Sequence, residues 1–164
     1  MHFFMPYSGA AQCLGLWLPL GITLYLAYSK RAIGFDGLLC LIFLASTALD
    51  IALAHFTVTP DLISLTSEPI CSLSLIFMGL FPGIKRPSAA LGYNMVFYSE
   101  FLRDLLCGTH YALAHNTPHF LSGVGGAGLA DGLFIQPLLT ALSLYGLTKL
   151  PAFERRFITR ASRI

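Results

Sequence analysis

The chain has 164 residues, of which 55% are hydrophobic and 11% charged, with a formal net charge of +2. Ordinary soluble domains carry about 25% charged residues, and a small domain leaves too much surface in water to hide this excess of apolar side chain. That balance argues against a soluble enzyme, a disordered chain or a coiled coil, and the small net charge gives no footprint for nucleic acid. A multi-pass membrane protein remains.

A membrane helix needs about 20 mostly apolar residues. Four such runs stand out, over 10–29, 38–58, 62–84 and 133–150. The second holds Asp50 and His55 as its only ionisable residues, and the fourth leads into a basic tail over 151–164. A fifth run, 91–114, carries Glu100, Arg103 and Asp104 near its middle. If it spans, Lys30, Arg31, Lys85, Arg86, Lys149, Arg155, Arg156, Arg160 and Arg163 all fall on one side, nine of the ten basic residues. The positive-inside rule therefore favours spanning. The expected fold class is all-α: one integral membrane bundle of five transmembrane helices, N-terminus out and C-terminus in.

The first residues have no basic n-region, which fits an uncleaved anchor rather than a signal peptide. The four cysteines, Cys13, Cys40, Cys71 and Cys107, form no C-x-x-C pair and read as free thiols. The glycine-dense stretch 119–132 has no G-K-[ST] and follows no strand, so it reads as an outer turn with Asp131 capping the next helix. Gln136-Pro137 predicts a kink in the last span that frees a backbone carbonyl. The tail fits a short amphipathic segment lying on anionic headgroups.

The fifth run carries the chemistry. Glu100, Arg103, Asp104, Cys107 and Tyr111 recur at helical spacing and share one face. Charges at bilayer depth usually face a bundle interior and pair. Counting helix rise places Asp50 and Arg103 at similar depth, about 18 and 17 Å from the inner end. An Asp50–Arg103 ion pair is expected, because the guanidinium fork can hold two carboxylates.

Three readings follow. The leading one is a non-enzymatic subunit of a membrane complex or a small-ligand or lipid-binding protein, with Asp50, Glu100, Arg103, Asp104, Cys107 and Tyr111 lining the site. Its partners would be the bilayer and other membrane subunits or further copies of itself, and the expected location is a bacterial inner membrane. The second is a membrane-embedded enzyme on a lipid or isoprenoid-like substrate, Glu100 or Asp104 shuttling a proton and Arg103 stabilising negative charge. The third is a haem or metal protein using His55 and His110, since histidine is the commonest metal ligand. No G-x-S-x-G or H-E-x-x-H motif is present.

Overall fold

The structure, a computed structural model, describes residues 13–29, 36–59, 62–66, 68–81, 84, 86–115 and 131–149. A π-helical turn, Cys13–Trp17, runs into α1, Leu18–Tyr28. Then come α2 (Gly37–Leu53), strands β1 (His55–Thr59) and β2 (Leu62–Thr66), α3 (Ile70–Leu80), α4 (Ala89–His115) and α5 (Gly132–Thr148). The chain is mostly helical, as its composition predicts.

Helices α2, α4 and α5 begin where the sequence supplies a local acceptor for otherwise orphaned N–H groups. Asp36 accepts from Leu39 N at 3.0 Å, Asp131 from Leu133 N at 3.0 Å, and Ser88 Oγ from Leu91 N at 3.1 Å. The Asp131 cap is the one expected from sequence.

The all-α class holds, with one two-stranded hairpin inserted where the second and third runs were expected to be continuous helix. His55–Thr59 pairs antiparallel with Leu62–Thr66 in a hairpin, so α2 stops at Leu53 and α3 starts only at Ile70. Thr57, Val58, Thr59, Ile63 and Thr66 are β-branched residues that favour a pleated surface, and Pro60-Asp61 between them is turn chemistry. The consequence for length is direct. The helices α1 and α3 have 11 residues each, and α2 and α5 have 17. The 27-residue α4 is long enough but holds Glu100, Arg103 and Asp104. No helix among the described residues is long and apolar enough to cross a membrane.

Helix α4 is the axis of the bundle. One side of it, with Leu91, Met95 and Val96, packs against Leu39 of α2 and Cys71, Leu75 and Met78 of α3. Another side, with Tyr93 and Phe97, packs against Leu133 of α5 and partly buried Leu20 and Leu26 of α1. Early α4 meets late α5: a Cβ on Gly92 would collide with Leu144, whereas Phe97 shares its cluster with Leu133 at the start of α5. The two helices are therefore antiparallel. Leu144 is a knob seated against two glycines, since a Cβ on Gly79 of α3 would also lie 3.1 Å from it.

Beside its two apolar clusters the bundle also encloses many polar and charged side chains, residue types usually found outside. Asp50, Glu100, Arg103, Asp104 and Asp131 are all buried, together with Thr23, Ser46, Thr47, Ser72, Ser99 and Thr140. Leucine and aromatic side chains point outward on every helix, among them Leu24 and Tyr25, Leu41 and Leu44, Phe77, Leu102 and Leu106, and Leu139 and Leu142.

Candidate functional site

Helix α4 positions the charged residues because their spacing matches its turn, and the face they occupy is the one that α5 and α2 enclose. Arg103, 1% exposed, is the centre. Its Nη1 lies 2.6 Å from Glu100 Oε2, one turn back, while its Nη2 and Nε donate to Asp104 Oδ1 at 2.7 and 3.1 Å. One guanidinium fork thus holds two carboxylates, and the three groups sum to a formal charge of −1. Short charge-assisted contacts of this kind are the strong ones.

The direct pair expected between Asp50 and Arg103 takes another form. Asp50 Oδ1 accepts the Ile70 N–H at 3.2 Å and its Oδ2 accepts from Ser99 Oγ at 3.3 Å, with Thr47 Oγ1 2.9 Å from the same hydroxyl. The ion pairs of Arg103 go to Glu100 and Asp104 instead. The reason is proximity, since Glu100 and Asp104 lie on the arginine's own helix. Asp50 instead caps α3, whose own N-cap position, Pro69, offers no side-chain acceptor.

Two further stripe residues continue toward the hairpin. Cys107 is half-buried and Tyr111 is buried. The Tyr111 ring lies between Phe56 of β1, at 4.4 Å between centroids, and His115, at 4.1 Å. The hairpin therefore packs over the end of the stripe.

Register along α4 and α5 adds a residue that spacing did not reveal. Counting eight residues on from Gly92 reaches Glu100, and eight back from its neighbour Leu144 reaches Gln136. Helices of equal rise bring these two to one height. Gln136 Oε1 is buried without a hydrogen-bond partner, as are Tyr93 Oη and Asn94 Oδ1. Such atoms each cost about 1–3 kcal/mol unless something supplies a partner. Pro137 lies inside α5, as the sequence indicates. Lacking an N–H, it leaves the Leu133 carbonyl without its usual helical donor. Asp131 lies at the same end of α5, one residue beyond the position level with Asp104 by the same count. The hydroxyls of Ser99, Thr47, Ser72 and Thr140 were also missed, because isolated serines and threonines in apolar runs carry no pattern. Ser72 and Thr140 bridge α3 and α5 at 2.6 Å.

Among the described residues, His55 lies on the hairpin and His110 on α4. His55 and Phe56 are neighbours on a strand and alternate faces, so Phe56 on Tyr111 turns His55 away from α4. His110 is exposed. Among the described residues no three of His, Cys, Asp and Glu are grouped to hold a metal ion. His2, His119, residues 116–130, the basic tail and the Cys13 side chain lie outside the described residues. Cys40, Cys71 and Cys107 are free thiols. Compared with known proteins, the chain matches no family model, no curated protein and no solved structure.

Proposed function

We propose that this chain is a small multi-pass membrane protein without catalytic activity, whose bundle interior binds the polar group of a small amphipathic ligand. The supporting observation is the placement of charge: Glu100, Arg103 and Asp104 are enclosed while leucines cover the outside. In water the exposed leucines are unfavourable, whereas lipid suits them, and paired charges within a membrane protein belong in the bundle interior. Helices α2 and α5 have 17 residues each, close to but short of the usual ~20 residues of a membrane span. The N-terminus-out orientation is supported by charge. Arg86, donating to Leu147 O, and Lys149, over the Tyr145 ring, share one end of the bundle, and Glu68 and Asp131 belong to the other.

A ligand is favoured over a docked subunit because the arginine is inaccessible to a helix arriving from outside. The unpartnered Gln136 Oε1 level with Glu100 is the kind of acceptor a guest hydroxyl or amine would satisfy. The test is purification from native membranes in nanodiscs, with mass spectrometry of both chains and small molecules. A defined small molecule near one per chain, reduced in Gln136→Leu, is expected. Stoichiometric partner chains with no such molecule would overturn the reading in favour of a complex subunit.

A further inference from the structure

The outward apolar side chains of the bundle span a short length along each helix. On α2 they run from Leu38 to Leu53, which at 1.5 Å per residue is about 22 Å. Helix α5 has 17 residues before Lys149, or about 26 Å by the same rise. The π turn and α1 together run from Cys13 to Tyr28, about 24 Å. Only α4 is longer. Its first turns are enclosed by the other helices, and its last turns carry exposed His110 and His115 beside the hairpin.

We infer that the apolar belt fits a bilayer whose hydrocarbon core is about 22–26 Å thick, several ångströms thinner than the usual ~30 Å. The partner is thus a membrane of short acyl chains, or one thinned locally around the protein. This inference rests on the membrane reading proposed above. It also accounts for where the charges sit. Asp50, bonded to Ser99 beside Glu100, is three residues from the end of α2 at Leu53, about 5 Å along the axis. The Glu100–Arg103–Asp104 cluster therefore lies within a few turns of the belt's hairpin-side edge rather than at the middle of a thick slab. Thinning and nearby headgroup water lower the cost of burying charge.

The experiment reconstitutes the full chain into phosphatidylcholine vesicles whose monounsaturated chains run from fourteen to twenty-two carbons. Helix unfolding on heating is followed by circular dichroism. The single tryptophan, Trp17, is 60% exposed, so its quenching by brominated chains reports insertion. The expected result is Trp17 quenched in the shorter-chain vesicles, with the unfolding midpoint highest there and falling by about 5 °C or more toward the longest chains. Quenching in every vesicle with a midpoint that is flat or rises with chain length overturns the thin-core inference and leaves the membrane reading standing. Trp17 unquenched in all vesicles, with no chain floating with lipid, overturns both.

Discussion

Asp50 on α2 accepts the backbone N–H of Ile70 at 3.2 Å, so the first turn of α3 is capped by a carboxylate from the preceding helix. The same carboxylate takes the Ser99 hydroxyl. It therefore ties three helices at one point. Removing its charge in Asp50→Asn weakens two bonds to a charged acceptor, and Asp50→Ala leaves a helix N-terminus and a buried hydroxyl short of partners. Losses of about 1 and 2–3 kcal/mol are expected respectively, read as shifts in the unfolding midpoint of purified protein. An unchanged midpoint in Asp50→Ala would show that the cap contributes nothing.

Arg103 is expected to be more sensitive than either of its acids. Arg103→Leu leaves Glu100 and Asp104 buried without their fork, at a cost of about 3–5 kcal/mol. The triple variant Arg103→Leu, Glu100→Gln, Asp104→Asn removes the stranded charges as well, and it should recover at least half of the lost stability. If the triple variant is no more stable than Arg103→Leu alone, like-charge repulsion and charge burial are not what the arginine offsets.

Gly92 allows α4 and α5 to touch. Gly92→Ala places a methyl group against Leu144, and overpacking of this kind costs about 1–3 kcal/mol. Trimming the knob in Leu144→Ala opens the space that methyl group needs. The double variant should therefore be more stable than the sum of the single losses predicts, by about 1 kcal/mol. Additive losses would place the two side chains out of contact.

The Phe56–Tyr111 stack covers the end of the stripe next to Cys107. Phe56→Ala should expose this thiol, raising its alkylation rate by about tenfold through local opening, while Cys71, which is fully buried, stays unreactive. Peptide-level mass spectrometry separates the two sites. An equal rise at both would mean general loosening, not uncovering of the stripe.

Much of α4 is legible in the sequence. Its boundaries, expected at 91–114, fall at Ala89–His115, and periodicity alone places Glu100, Arg103, Asp104 and Tyr111 on an enclosed face. Asp131 is likewise readable as a cap, because an aspartate before an apolar run has one local use. The hairpin was hidden inside two continuous apolar runs, where a strand and a buried helix look alike. Nor does the sequence reveal which acceptor Ile70 N–H finds, since Asp50 lies 20 residues earlier and the bond exists only once the hairpin turns the chain back. Depth likewise gives no direction for His55, since one residue of strand reverses a side chain.

The Asp50–Ile70 bond also has a bearing on the order in which the molecule is built. It closes a loop from residues synthesised close together, and β1 and β2 pair within that loop. Contacts so local form quickly and need little chain to be present. Helix α4 is the opposite case, because its charges pair within the helix but its face is enclosed only once α5 has arrived to cover it. The hairpin unit is thus a platform finished early in biogenesis, and the most polar helix waits beside it for the last segment of the chain to emerge.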